Sequence, residues 1–375
     1  MRIEDFPTIK PANIEKEIDY EKQEDLPDFK FEATTHAARK YFNPEEFRKE
    51  CETMKGQEMD SLRMDFDMNI WEKDGEAFAA RYTEAKQIME KAGLEAPTIV
   101  LSNPSVESIK VYKKNKEDFF NQFRKYAEET KAMLKQAGGK KVERVQILNE
   151  LNNKVYTKIN SEDLPELLKI VREVFADYNP DMKFLGTLNV NNLASAVGTD
   201  SKKYISEWED VLKNFDIIGL DYYPGTWHFP GVLKKILREK HLPTPKQFFK
   251  EWVKNIALLK EVSEKIAGWG KDYEMDEVGM SSRGLWGGEK GQRYFYDSFA
   301  RALKQMFNDF SRRGIKLPNQ LGFYQMTDED EPIGKFGMMD EKGENKMVTP
   351  RINKLKDYIK GKQKPSNVKD FFKKL

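Results

Sequence analysis

Short apolar runs alternate with long amphipathic ones from about residue 29 to residue 361. The short runs fall at 29–36, 61–66, 97–102, 143–149, 183–190, 215–221, 271–276 and 320–325, and each reads as a strand. Pro97-Thr98-Ile99-Val100-Leu101 is a continuous apolar run of the kind that parallel strands covered on both faces present. The segments between have a 3.6-residue rhythm. Leu164, Leu167, Leu168, Val171, Val174 and Phe175 form one helix face behind Ser161, which is placed to cap it. Phe119, Phe123, Tyr126, Thr130 and Leu134 form a second, from about Lys116 to a stop at Gly138-Gly139. A third runs through Phe295, Phe299, Ala302, Leu303, Met306 and Phe310 to Gly314, and a last helix near 349–361 closes the series. Eight alternations predict an α/β fold, a closed (β/α)8 TIM barrel forming a single domain over 29–361.

Residues 1–28 are rich in charge and proline without a period, and are expected to form an N-terminal extension over the barrel or to lack fixed structure. Residues 362–375 read as a basic C-terminal tail; from Lys360 onward there are six lysines against one aspartate. A total of 375 residues suits one barrel with loop insertions. Charged residues make up 34% but the net charge is +1, so no overall field favours nucleic acid or an acidic partner. No run approaches the roughly 20 apolar residues of a membrane span. The start, Met1-Arg2-Ile3-Glu4-Asp5, has no apolar core, so the chain reads as cytoplasmic, or as secreted if a leader has been removed. The one cysteine, Cys51, excludes an internal disulfide framework and is expected to be a half-buried helix residue rather than a nucleophile. A monomer is expected.

Two strings carry the candidate chemistry. Val145-Gln146-Ile147-Leu148-Asn149-Glu150 ends an apolar strand in an amide and a carboxyl group. Asp272-Tyr273-Glu274-Met275-Asp276-Glu277-Val278-Gly279 ends another in acid, with three acids on the strand itself. Such crowding raises proton affinity unless a cation or hydrogen-bond donor sits nearby. Arg63, in Leu62-Arg63-Met64-Asp65-Phe66, is placed to supply that charge, or else to pair locally with Asp65. The sixth strand ends in Asp221-Tyr222-Tyr223-Pro224 and leads to Trp227-His228. A tyrosine hydroxyl there can hold a neighbouring carboxylate. Trp71, Trp227 and Trp286 fall in predicted loops, where indole faces can stack on sugar C–H groups or simply pack.

These strings resemble those of the clan A glycoside hydrolases, retaining enzymes on a (β/α)8 barrel, over about residues 29–361. Asp216 to Pro224 with Trp227-His228 is similar to the endo-β-1,4-galactanase family in particular. The loop Phe336-Gly337-Met338-Met339-Asp340-Glu341-Lys342-Gly343 is similar to the one after strand eight in the clan. The resemblance implies Glu150 as acid/base and Glu277 as nucleophile. It further implies that Asn149 bonds the sugar 2-hydroxyl, that Arg63 supports the nucleophile and that Tyr223 hydrogen-bonds it. Trp227, His228, Tyr324 and Trp286 are further candidates for sugar contact. The chain departs from the clan in two places. Strand eight reads Gly322-Phe323-Tyr324-Gln325 where the clan usually ends in tryptophan, and Asp221 replaces a frequent sixth-strand histidine.

The expected activity is hydrolysis of β-glycosidic bonds in an oligo- or polysaccharide by two glutamates in a double displacement, without cofactor or metal. His36, His228 and His241 include no His-x-His pair, which weighs against a metal-dependent barrel enzyme. The alternative of another class is a catalytically inactive carbohydrate-binding barrel.

Overall fold

A computed structural model of the chain describes residues 29–35, 42–153, 157–190, 200–223, 245–279, 288–324, 337–338 and 345–359. The N-terminal extension, the basic tail, Trp227, His228, Trp286 and the three histidines lie outside the described residues, as does all but 337–338 of the loop at 336–343.

Eight strands hydrogen-bond in parallel and in chain order: β1 (Lys30–Thr35), β2 (Ser61–Phe66), β3 (Thr98–Leu101), β4 (Arg144–Ile147), β5 (Lys183–Asn189), β6 (Ile217–Tyr222), β7 (Asp272–Val278) and β8 (Gln320–Tyr324). Pairing of β8 with β1 closes the barrel. All eight predicted strands are present. The helices around them are α1 (Pro44–Gly56), α2 (Met68–Lys91), α3 (Val106–Lys114), α4 (Lys116–Ala137), α5 (Leu164–Phe175), α6 (Ser201–Glu207), α7 (Glu209–Leu212), α8 (Pro245–Ala267), α9 (Gly288–Arg312) and α10 (Thr349–Ile359). Among the described residues no helix is long and apolar enough to cross a membrane.

Local chemistry explains the helix ends. Asn43 accepts from the Glu45 and Glu46 N–H groups to cap α1, and Asp67 accepts from Asn69 and Ile70 to cap α2. α4 stops at Gly138, whose φ of 62° costs a glycine nothing. Ser161 does not cap α5. It lies in a 3-10 turn (Ser161–Asp163), its hydroxyl is paired with the Tyr204 hydroxyl at 2.8 Å, and Pro165 starts the helix instead. Two further expectations change. Trp71 sits on α2 rather than in a loop; its indole N–H donates to Glu129 at 2.6 Å and its ring packs on Tyr126. Cys51 is fully buried on α1, where burial pushes its thiol far up, so it is inert packing.

The apolar core lies between sheet and helices. Phe66, Phe78, Tyr82, Phe119, Phe123 and Tyr126 form a contiguous aromatic block there, in which Phe66 meets the Phe78, Tyr82 and Tyr126 rings at 4.7–5.5 Å. The inside of the barrel is different. Barrel interiors are usually filled by branched apolar side chains, yet here much of the interior is polar. Arg144 on β4 reaches across to Glu274 on β7 and Gln320 on β8. Glu32 on β1 accepts from Ser61 on β2 at 2.9 Å and from Thr98 on β3 at 2.8 Å. Arg63 on β2 reaches Gln146 on β4 at 2.8 Å and Glu277 on β7. The period-two alternation in Ser61, Arg63, Asp65 and in Arg144, Gln146 aims these groups inward.

Strict alternation on β7 would send Glu277 outward with Tyr273 and Met275, because Glu274 already points inward. A bulge prevents this. Gly219 and Asp221 of β6 pair with Glu274 and Glu277, so two steps on β6 match three on β7, and the same slip occurs against β8. The extra residue flips the phase and turns both Asp276 and Glu277 toward Arg63. Both neighbouring strands supply a glycine at this point. A Cβ on Gly322 would sit 2.0 Å from the Asp276 carbonyl oxygen, and one on Gly219 would sit 3.0 Å from the Asp276 Cβ and 2.7 Å from the Thr187 methyl.

Gly322→Ala is therefore expected to destabilise the barrel by at least the upper part of the overpacking range, about 1–3 kcal/mol. Urea unfolding measures this; an unchanged midpoint would contradict the close backbone approach.

Candidate active site

The chain leaves β4 through strained backbone. Leu148 and Glu150 adopt φ of 60° and 50°, the left-handed region, which costs a non-glycine residue about 1–2 kcal/mol each. Dense hydrogen bonding holds the turn. The Leu148 N–H donates to the Leu101 carbonyl at 2.8 Å, and the Leu151 N–H to the Thr187 carbonyl at 2.8 Å. The Glu150 N–H donates to the Thr187 hydroxyl at 2.9 Å, and the Asn149 N–H to Asn103 Oδ1 at 3.1 Å. The Leu148 carbonyl accepts from Gln146 Nε2 at 2.9 Å, and the Asn149 carbonyl from the Thr157 hydroxyl at 2.8 Å. The result is a rigid elbow that carries Asn149 and Glu150 over the barrel mouth.

Neutral amides surround the Glu150 carboxyl. Asn189 Nδ2 donates to one oxygen and Asn153 Nδ2 to the other, both at 2.5 Å. Asn189 is itself clamped by Asn152: its N–H donates to Asn152 Oδ1 at 2.8 Å, and its carbonyl accepts from Asn152 Nδ2 at 2.9 Å. Burial pushes Glu150 up to about 7, reinforced by the negative charge of Glu277, while Asn189, Asn153 and Arg63 oppose the rise.

Glu277 has a different environment. Arg63 Nη1 donates to one carboxyl oxygen and the Tyr223 hydroxyl to the other. Burial raises its proton affinity above the ordinary carboxylate value; Arg63 and then Tyr223 oppose the rise, and Asp276 and Asp65 add to it. Tyr223 stays a donor, because burial and the Glu277 charge push its phenol well above the ordinary range. Burial also works against the charge on Arg63, but Glu277, then Asp276, Asp65 and Asp221, overcome it and raise the guanidinium's pKa further. Arg63 Nε lies 3.1 Å from Asp276 and Nη1 3.9 Å from Asp65, so the local pairing with Asp65 is present but is the longest of its contacts.

The Asn149 side-chain oxygen is saturated. It accepts from Arg63 Nη2 at 3.0 Å, Gln146 Nε2 at 3.0 Å and the Thr187 hydroxyl at 3.2 Å. That fixes the amide's orientation, and among the described residues its NH2 has no hydrogen-bond acceptor. Tyr223 meets Tyr324 edge-on, with ring centres 5.4 Å apart. Thus Glu150, Glu277, Asn149, Tyr223 and Tyr324 gather at the ends of β4, β6, β7 and β8, joined by Arg63 from within β2.

Asn189, Asn153, Gln146 and Thr187 were not singled out in the sequence. Asn189 had a usable signal, since it ends an apolar strand run in an amide just as Asn149 does. Gln146 is a polar residue within a buried strand, which in an alternating pattern marks the inward face. Asn153 and Thr187 had no comparable mark. Among the described residues, no cluster of three His, Cys, Asp or Glu side chains is arranged to hold a metal ion.

No protein-family model matches the chain, and no curated protein is similar to it in sequence. Solved structures are similar in fold. An exo-β-1,4-mannosidase from Opitutaceae bacterium strain TAV5 gives a TM-score of 0.62 at 12% identity; the match covers 89% of this chain and 60% of that one. A β-glucosidase from Thermotoga maritima in complex with castanospermine gives 0.61 at 12% identity, over 88% of this chain and 98% of that one. An endo-β-1,4-mannanase from Thermotoga petrophila gives 0.57 at 11% identity, over 91% and 79%. Identities this low show the shared barrel fold, and that fold hosts many chemistries. The narrower similarity to endo-galactanases is not specifically shown by these likenesses.

The Glu150 shift has a thermodynamic consequence. Its pKa rises from 4.5 to about 7, so the folded state binds this proton more tightly than the unfolded chain does. Protonation therefore favours folding fully below 4.5, and the contribution is lost as pH rises through about 7. Glu150→Gln is expected to melt above wild type at about pH 8, with the gap closing toward about pH 5. Equal melting temperatures at the higher pH would contradict a carboxyl that is costly to ionise.

Proposed function

We propose that the protein is a retaining β-glycosidase. One observation carries this reading: two buried carboxyl groups share the barrel mouth, one held by neutral amides and the other by a guanidinium and a phenol. Groups so partnered separate into an acid and an anion at one pH, which is what double displacement requires. Direct contact with Arg63 makes Glu277 the anion, and burial among amides keeps Glu150 the proton carrier.

In the first step Glu277 attacks the anomeric carbon. The glycosidic C–O bond breaks as Glu150 delivers its proton to the departing oxygen, leaving a glycosyl ester on Glu277. Forming the ester removes a negative charge near Glu150, whose proton affinity then falls. Glu150 can now take a proton from water as that water attacks the same carbon, and ester cleavage restores both carboxyls. The free NH2 of Asn149 lies on the same elbow as Glu150, which suits a hydrogen bond to the sugar hydroxyl beside the anomeric carbon. Tyr324 offers a ring face for stacking, the role proposed also for Trp227 and Trp286, with His228 as a polar contact.

The fold neighbours are named for mannose- and glucose-containing β-linked substrates, and a β-glycan of that kind is the proposed substrate here. Screening the purified protein against mannan, galactan, xylan, β-glucan and aryl β-glycosides tests the reading. Release of sugar with retained anomeric configuration, followed by proton NMR, is the expected result. Sugar binding without hydrolysis of any of them would favour an inactive carbohydrate-binding barrel.

Two variants assign the roles. Glu277→Gln is expected to lower turnover by about three orders of magnitude or more while still binding sugar. Glu150→Ala is expected to lose about 10²–10⁴-fold on substrates with poor leaving groups, and less on activated aryl glycosides. Azide should restore part of its rate and yield the β-glycosyl azide. Near-normal turnover of a natural β-glycoside by either variant would overturn the assignment.

A further inference from the structure

Asp221 takes no part in that scheme, yet it stands between its two halves. On β6 it is in register with Asn189 of β5, which holds Glu150, and with Glu277 of β7. It is fully buried, and among the described residues neither side-chain oxygen has a hydrogen-bond partner. The charged and titratable groups facing it are Glu277 and Asp276 from β7, Glu150 from the elbow after β4, and Arg63 from β2. Tyr223 lies just beyond the end of the same strand, and Asn189, on the other side, is neutral.

An ionised carboxylate buried without a hydrogen bond is among the most costly groups in a protein. Here it would also stand among three other carboxyls and draw on the single guanidinium that contacts Glu277. We propose that Asp221 is a neutral carboxylic acid at neutral pH, a positioning residue whose retained proton reserves the Arg63 charge for Glu277. The proposal rests on the reading of Glu277 as the nucleophile and adds the reason that Glu277, rather than its neighbour, is the anion. Burial, then the charges of Glu277, Asp276 and Glu150, push Asp221 well above the ordinary carboxylate range, against Arg63, in keeping with this assignment. Ionising Asp221 in alkali would set a further anion beside Glu277, loosen its hold on Arg63 and raise the proton affinity of Glu150.

Infrared spectra of the intact protein at neutral pH, with and without carboxyl-13C aspartate, test this without requiring turnover. A protonated-carboxyl C=O stretch that shifts with the label and is missing in Asp221→Asn is expected. Asp221→Ala makes the same assignment if the amide is not accommodated. Absence of an aspartate-derived protonated band in the wild type, or its persistence in the variant, overturns the proposal. On any substrate that is turned over, Asp221→Asn should move the alkaline limb of kcat/KM by less than about half a pH unit, since one neutral group replaces another. A downward move of about one unit or more would mean that an anion had been removed, and would also overturn it. If no glycoside is hydrolysed while the band behaves as described, the glycosidase reading fails and the protonation of Asp221 stands.

Discussion

The site is organised around one buried cation. Arg63 is almost completely enclosed, and its three nitrogens are divided among Glu277, Asp276, Gln146 and Asn149. The four contacts come from three parts of the barrel: two from β7, one from the interior of β4 and one from the elbow beyond β4. A planar guanidinium imposes a fixed fork on its partners, so it sets their mutual geometry as well as their charge. Breaking such a buried pair by removing one partner typically costs about 3–5 kcal/mol, because the other charge is left uncompensated. The arrangement is best understood as positioning: it makes Glu277 the carboxyl with a counter-ion and leaves Glu150 with amides.

The surrounding structure sustains an interior that is otherwise unfavourable. Burial pushes up the proton affinity of Glu32, Glu150, Glu274 and Asp221, so negative charge is costly inside the barrel, and Arg144 opposes the rise at Glu32 and Glu274. Two left-handed residues and a strand bulge add strain where the carboxyls are presented. The compensation lies outside the strands, in the aromatic layer between sheet and helices. Stability and function thus occupy opposite faces of the same strands, separated by the alternation of side chains. That division is why a mouth so rich in acid is compatible with a closed barrel.

The fold was legible because its signals are local. Each strand is a short apolar run, each helix has a 3.6-residue face, and caps such as Gly138 are written in adjacent residues. Glu150 and Glu277 stood out because each follows such a run. Other features depended on distant residues. The bulge that turns Glu277 inward arises from the match of β7 to both neighbours, and its mark in the sequence is a pair of glycines, Gly219 and Gly322, about a hundred residues apart. Trp71 reads as a loop residue because Asp67 and Glu72 near it are polar, yet Asp67 caps the helix that carries it. Ser161 fits a helix start by type, but the Tyr204 hydroxyl takes its side chain. The asparagine cage around Glu150 is assembled from β5 and the elbow, and no spacing rule links Asn189 to Asn153.

The central claim is that Glu277 is the anion that bonds to the sugar, with Glu150 serving as its acid and base. The most direct measurement is mass spectrometry of the protein after exposure to activated 2-deoxy-2-fluoro β-glycosides of mannose, glucose, galactose and xylose. With at least one of these sugars, the account predicts a stable adduct of one glycosyl unit that maps to Glu277 and is absent from Glu277→Gln. An adduct on any other residue, or none with any sugar from a protein that hydrolyses β-glycosides, would contradict it.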